Sequence, residues 1–204
     1  RKETQIPDNQ HYYLADKDTL KQPSAAPIGW QNLAEMILGQ SAESPVSCQS
    51  IYPDDPCFYI YTSGTTGMPK AVVFNHGRYM KAYGSFGYAS VRLKAEDRMY
   101  VPLPFYHATA MAICWGSVLA GNACLIMTKK FSASGFWPDV KAYKATAFGY
   151  VGELCRYLVE QAPQADEAEN SIRIIVGNGM RVSIWDEFKQ RFDIPKIMEF
   201  YASS

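Results

Sequence analysis

A chain of 204 residues with 48% hydrophobic and 20% charged composition has the make-up of an ordinary globular protein, long enough for one large domain or one and a half small ones. Its 20 basic and 20 acidic residues cancel, so no net field draws it to nucleic acid or to a charged membrane surface. No apolar run approaches a membrane span, the first residues hold no signal-peptide apolar segment, and "RKETQIPDNQ" is expected to be a cut into the middle of a longer protein.

Residues 1–56 form an irregular lead-in. "KQPSAAPIG" and "SAESPVSCQSIYPDDP" carry the proline, serine and alanine of surface connections. Between them Trp30, Leu33, Ala34, Ile37 and Leu38 fall at i, i+3, i+4, i+7 and i+8, which predicts one amphipathic helix. From Cys57 the texture changes to short apolar runs alternating with longer amphipathic ones. Predicted strands are Cys57–Thr62, Ala71–Asn75, Arg98–Val101, Ala123–Thr128, Thr146–Gly149, Ile172–Val176 and Ile197–Tyr201. Predicted helices are about Gly77–Val91, Thr109–Ala120, Ala133–Tyr143, Glu153–Gln161 and Ser183–Arg191. The last opens with Ser183 and Asp186 at capping-box spacing and is expected to bury Ile184, Trp185, Phe188 and Phe192. This alternation predicts an α/β domain over 57–204, a mostly parallel sheet covered by helices. The five cysteines are odd in number and widely spaced, with no C-x-x-C pair and four in apolar surroundings. They are expected to be reduced, buried core thiols of a cytosolic protein, and no metal site is read from them.

The chemistry concentrates in Tyr61 to Lys70, "YTSGTTGMPK", a turn directly after the apolar run "CFYIY". Gly64 and Gly67 place no Cβ between backbone and ligand, so their neighbours' amides can converge on an anion. Thr62, Ser63, Thr65 and Thr66 add hydroxyl donors and Lys70 a point charge, which together suit a polyphosphate. The loop is not a Walker A motif, because its glycines are three apart, Met68 and Pro69 precede the lysine, and an apolar run, "AVVF", leaves the turn where a Walker loop opens a helix. A Gly/Thr-rich hairpin without a ligand is the plainer alternative; four hydroxyls within five positions count against it.

The other constellations are more open. His107 lies in "PLPFYHATA", and a lone histidine is more often packed or on the surface than functional. "VGNGM" ends at Met180 and reads equally as a ligand loop or an ordinary strand-to-helix turn. Helix "HGRYMKAYGSFGYAS" carries Gly77, Gly84 and Gly87, each costing about 1 kcal/mol against alanine. Close helix packing is the plain reason for them; a wall left open for an acyl chain is the sharper one. Glu153 and Arg156 in "GELCRYL" are expected to form a surface pair.

"YTSGTTGMPK" resembles the phosphate-binding signature of the acyl-adenylate-forming enzymes, which include acyl-CoA synthetases, peptide-synthetase adenylation domains and luciferases. "CFYIYTSGTTGMPKAVVFNHGRY", "PLPFYHATA", "KKFSASGFWPDV" and "YVGELCRYL" are similar to the fatty-acid transport protein and very-long-chain acyl-CoA synthetase branch, from about Pro56 to the C-terminus. The resemblance implies part of the large N-terminal domain of such an enzyme, without its smaller C-terminal domain. It also implies a long-chain fatty acid–CoA ligase using ATP, Mg²⁺ and coenzyme A, poorly active as the fragment alone. Tyr61, Thr62, Ser63, Gly64, Thr65, Thr66, Gly67 and Lys70 would hold phosphates. Gly177, Asn178, Gly179 and Met180 would flank adenine, Tyr201 would stack on it, and Ser204 would take the place of a phosphate-contacting threonine. Tyr106 and His107 would wall the acid and the thiol path, with Gly84 beside the acyl chain, and Lys70 and His107 would serve catalysis. "EFYASS" departs from the family's Tyr-Gly-x-Thr-Glu motif at Ala202, and the magnesium-holding glutamate would correspond to position 205, one past the last residue. The implied location is cytoplasmic, with peripheral association of the parent with a membrane left open. Two other readings remain: an adenylate-forming ligase for a bile or aromatic acid, and a non-catalytic nucleotide- or fatty-acid-binding module of lipid uptake.

Overall fold

The computed structural model describes residues 12–13, 31–62, 68, 70–164 and 166–202. The chain divides into two compact units, Arg1–Ser50 and Ile51–Ser204. In the first, β1 (Tyr12–Tyr13) pairs in parallel with β2 (Gln31–Asn32), and α1 (Leu33–Leu38) follows. The Asn32 side-chain amide donates to Glu35 Oε1 at 2.8 Å. Six residues are too few to present a continuous stripe. On the expected apolar face Ile37 and Leu38 are exposed and Leu33 is half-buried, and Trp30 lies outside the described residues.

The second unit opens on an antiparallel hairpin, β3 (Pro56–Thr62) and β4 (Lys70–Asn75), with Tyr61 opposite Ala71 and Lys70 opposite Thr62. Period-two alternation turns Ile60 and Phe74 inward, where both are buried with Ala112, and leaves Tyr59, Tyr61 and Val73 exposed. The Asn75 side chain accepts the Arg78 N–H at 2.8 Å and so caps α2 (His76–Ala82). The predicted single helix runs on as a π-helical stretch, Tyr83–Val91, ending where left-handed Arg92 donates its N–H to Gly87 O at 3.1 Å. Two of its three glycines have a packing reason. A Cβ on Gly87 would stand 2.3 Å from that of Ala120, and one on Gly77 3.0 Å from Pro53 O, whereas one on Gly84 meets nothing within 4 Å.

The remaining chain builds a five-stranded parallel sheet from β5 (Arg98–Val101), β6 (Cys124–Met127), β7 (Ala147–Val151), β8 (Ile174–Asn178) and β9 (Ile197–Glu199), in the order β6-β5-β7-β8-β9. The first four residues of β7 and of β8 are buried, so both sheet faces are covered; that is why these strands read as unbroken apolar runs. Between β5 and β6 lies a second π-helical stretch, Thr109–Cys114, continued by α3 (Trp115–Gly121). The later connections carry α4 (Phe136–Tyr143), α5 (Gly152–Val159) and α6 (Val182–Arg191). Tyr100, Phe136, Phe148 and Tyr150 are fully buried, with Phe136 and Phe148 edge to face at 4.7 Å. Such pairs add about 0.5–1.5 kcal/mol beyond the area they bury.

Buried Asp97, just before β5, accepts from Lys94 N–H at 2.8 Å, from the Thr146 hydroxyl at 2.7 Å and from Arg173, whose Nε lies 2.9 Å away. One carboxylate thus joins the approaches to β5, β7 and β8. Two expectations are corrected. Ser183 lies inside α6, whose N-cap is Arg181 with no side-chain cap bond; extended backbone at Arg181 starts the helix one residue before the capping-box pattern. Of the five cysteines, all free, Cys114 and Cys155 are buried and Cys57 half-buried, but Cys48 and Cys124 are exposed, because they lie in a surface turn and at the start of the edge strand β6. Glu153 and Arg156 do pair on the surface of α5, at 2.8 Å.

Candidate active site

The strand order places β6 on one side of β5 and β7, β8 and β9 on the other, so the chain reverses its direction of sheet growth beside β5. In open α/β sheets a crevice forms outside the carboxyl ends of the strands at such a reversal. His107 lies in the connection that leaves β5, and Asn178 is the last residue of β8. Both line one cavity of about 630 Å³, within the range of small-molecule sites. Tyr61, Ile60 and Phe74 of the hairpin form part of its wall, with Arg78, Lys81, Ala82, Ser85 and Phe86 of the helix that follows.

His107 is held by its own backbone. Its N–H donates to Pro104 O at 2.9 Å, and its carbonyl accepts from Met111 N–H at 3.1 Å. Its Nδ1 accepts the Thr109 N–H at 3.3 Å, so the proton of the neutral ring sits on Nε2. His107 thus carries its ring donor at Nε2, and the residue lines the cavity. Thr109, itself buried, donates its hydroxyl to Asn178 Oδ1 at 3.4 Å and so links the β5 and β8 sides. Tyr106 beside it is 78% exposed and also lines the cavity.

The turn after β8 is tight for a different reason. Gly179 has φ +80°, the left-handed region where a Cβ is strained, and a Cβ on Gly177 would stand 2.1 Å from Tyr150 O. The Glu199 carboxylate accepts the N–H groups of Gly179 and Met180, the latter at 3.2 Å, and the Tyr150 hydroxyl. Burial, then the Glu199 carboxylate, raise the Tyr150 phenol well above its ordinary value. Two backbone amides of the segment expected to flank adenine are thus occupied by a side chain of the same molecule. The Met180 side chain is in the core.

Of the residues singled out in the sequence, Tyr61, Tyr106, His107 and Asn178 come together on the cavity. Lys70 starts β4 opposite Thr62, at the loop end of the hairpin, one residue beyond the Tyr61–Ala71 pair. Gly84 and Tyr201 are not among the cavity-lining residues; Tyr201 is 95% exposed between Phe200 and Ala202, which do line it. Ser63, Gly64, Thr65, Thr66, Gly67 and Ser204 lie outside the described residues. Sequence reading overlooked Arg78, Lys81, Ala82, Ser85 and Phe86, although their spacing of i, i+3, i+4, i+7 and i+8 is that of one helix face. It also overlooked Glu199, an acid at the carboxyl end of a strand. Nothing in its spacing marked it.

A parallel sheet covered on both faces, with a mostly apolar cavity at its reversal point walled in part by the hairpin strands, has the layout in which open α/β domains hold ligands. The model of the AMP-binding enzymes matches residues 3–204, and the chain belongs to that family. It is 46% identical over 163 residues to the medium/long-chain-fatty-acid–CoA ligase FadD6 of Mycobacterium tuberculosis, an alignment covering 80% of this chain and 27% of that protein. It is 41% identical over 174 residues to human long-chain fatty acid transport protein 1, covering 85% of this chain and 27% of that one. The chain thus spans about a quarter of the length of these relatives. Among solved structures, the inhibitor-bound N-terminal domain of FACL13 from M. tuberculosis superposes with a TM-score of 0.71 at 25% identity, over 94% of this chain and 50% of that one.

Proposed function

We propose that this protein is an ATP-dependent long-chain fatty acid–CoA ligase. The observation that carries the reading is the convergence of Tyr61, Tyr106, His107 and Asn178, from three separate segments, on one mostly apolar cavity at the sheet's reversal point. In the first step a carboxylate oxygen bonds to the α-phosphorus of ATP and the bond to pyrophosphate breaks, giving acyl-AMP. In the second, the CoA thiolate attacks the acyl carbon and AMP leaves. A carboxylate is already ionised at neutral pH and needs no base. His107 accordingly acts by orienting: its Nε2–H donates to an acid oxygen, and Tyr106 walls the approach. Residues 62–67 and Lys70 hold the departing pyrophosphate, an electrostatic contribution to phosphoryl-type chemistry. Asn178 and the turn around it border the adenine, with Tyr201 stacked on the base.

The apolar lining suits an alkyl chain, each buried CH₂ contributing about 0.8 kcal/mol. Among the described residues no three His, Cys, Asp or Glu come together around a metal, so these residues do not by themselves build a site for Mg²⁺, an ion that leans on substrate phosphates. Among the described residues, too, no helix is long and apolar enough to cross a membrane. A cytoplasmic location, with peripheral membrane association, belongs to the same proposal.

The test incubates the protein in its full natural length with ATP, Mg²⁺, CoA and a panel of long-chain, bile and aromatic acids, and resolves the nucleotide products. AMP and pyrophosphate formed only with a long-chain acid support the ligase. The same products with another acid alone move the substrate class, and ADP or no nucleotide product overturns the reading. Lys70→Ala should cut acid-dependent pyrophosphate release at least tenfold; a carrier that only binds lipid would not register the change.

A further inference from the structure

Glu199 has no part in the roles assigned above, yet its carboxylate accepts from three donors. It is the last residue of β9, paired across to Gly177 of β8. One oxygen takes the N–H groups of Gly179 and Met180; the other takes the hydroxyl of Tyr150, a fully buried side chain of β7. The next residue, Phe200, returns its N–H to Gly177 O at 3.0 Å and packs its ring edge to face on Phe86 at 5.1 Å. The carboxylate therefore ties the ends of three neighbouring strands to the turn that presents Asn178, and fixes where Phe200 and Ala202 meet the cavity.

We propose that Glu199 is a positioning residue for nucleotide binding: its carboxylate shapes the turn at residues 177–180 and the segment at residues 200–202 into one surface for the base. This rests on the reading of the site as a nucleotide site, and adds a residue that touches no substrate. Adjacent amides at a glycine turn would otherwise point their dipoles at any anion or water nearby; a resident carboxylate fixes their direction before ligand arrives. The role requires acceptor geometry and not negative charge. Glutamine at 199 keeps one oxygen for the two amides, and its NH₂ can donate to the Tyr150 oxygen, reversing that bond without losing it.

The experiment measures direct binding of ATP, by calorimetry and without any acid, alongside steady-state KM and kcat and thermal melting, on the full-length protein. Glu199→Ala should weaken ATP binding roughly tenfold and raise KM for ATP by a similar factor, with kcat changed less. Glu199→Gln should restore both to within about threefold, and Tyr150→Phe, which removes one bond of the set, should fall between. Unchanged ATP affinity in Glu199→Ala overturns the proposal, as does Glu199→Gln behaving like Glu199→Ala, since charge would then be the requirement. Should the alanine variant fail to fold, the order of Glu199→Gln and Tyr150→Phe still decides. Wild-type protein that binds ATP but forms no AMP with any acid sinks the ligase reading and leaves the positioning role to be judged by binding alone. Wild-type protein that does not bind ATP sinks both.

Discussion

Replacing Gly152 by alanine puts the packing behind this site to a direct test. Gly152 begins α5 immediately after β7, and its Cα faces the turn that follows β8. An added Cβ would stand 1.7 Å from Gly179 O, 2.2 Å from Gly179 C and 2.7 Å from Met180 N. All three are backbone atoms, so no rotamer change relieves the clash. An ordinary contact begins near 3.4 Å, so the turn must retreat by about 1.7 Å. That movement exceeds the tolerance of its hydrogen bonds: the Gly179 and Met180 amides leave Glu199, and Asn178 leaves Thr109. Overpacking of this kind costs about 1–3 kcal/mol, and the three lost bonds about 1 kcal/mol each, so a total of about 4–6 kcal/mol is expected. Urea unfolding followed by far-ultraviolet circular dichroism, paired with ATP binding on the folded fraction, measures both consequences. A Gly152→Ala protein within about 0.5 kcal/mol of wild type, with unchanged ATP affinity, would refute the claim that the two turns are in backbone contact.

Gly84→Ala is the matched control: its Cβ meets nothing within 4 Å, so stability should hold or rise by up to about 1 kcal/mol in the same assay, while a rise in KM confined to the longest acids would show an acyl chain passing there. Asp97 supplies a pH test. Burial pushes its carboxyl up, but bonds from Arg173, Thr146 and the Lys94 amide outweigh this and hold it at about 2, below the ordinary 3.8. A depressed folded value means stability fully present above the unfolded value and lost as pH falls through the folded one. Unfolding free energies of wild type and Asp97→Asn should therefore differ by about 2 kcal/mol at neutral pH and converge between pH 4 and 2; a gap independent of pH would contradict the assignment.

How much of this was legible beforehand depends on the range of the forces involved. The central strands β7 and β8 announce themselves, because burial on both faces demands uninterrupted apolar residues between turn formers. The hairpin is legible from two apolar runs flanking the glycine loop, though the antiparallel pair stands apart from the parallel sheet. The π-helical stretches are not legible. Their side chains keep a nearly helical spacing, and only the backbone partner shifts by one residue, as at Arg92 and Gly87. Helix ends were equally obscure where Arg92, Asn122 and Lys144 adopt left-handed conformations that glycine usually signals. Asp97 and Arg173 lie 76 residues apart, and nothing local to either names the other. Of the residues lining the cavity, Tyr61, Tyr106, His107 and Asn178 are marked by distinctive chemistry or context, whereas Arg78 and Lys81 carry no local mark, and neither does Glu199 behind the turn after β8. Such roles are conferred by the fold.

The turn after β8 shows how that happens. Three of its four residues are committed inward: Gly177 O accepts Phe200 N–H, and the Gly179 and Met180 amides donate to the carboxylate of Glu199. With its neighbours tied down, Asn178 alone of the four borders the cavity, where its Oδ1 takes the Thr109 hydroxyl. Thr109 in turn directs its backbone N–H to His107 Nδ1 and leaves Nε2 to carry the proton. The tautomer of the histidine after β5 and the exposure of the asparagine after β8 are thus settled through one shared threonine. Both cavity-facing groups inherit their direction from packing that no short motif contains. It follows that a substitution which loosens the turn, at Gly152 or at Glu199, should be felt at His107 without any change in the histidine's own loop.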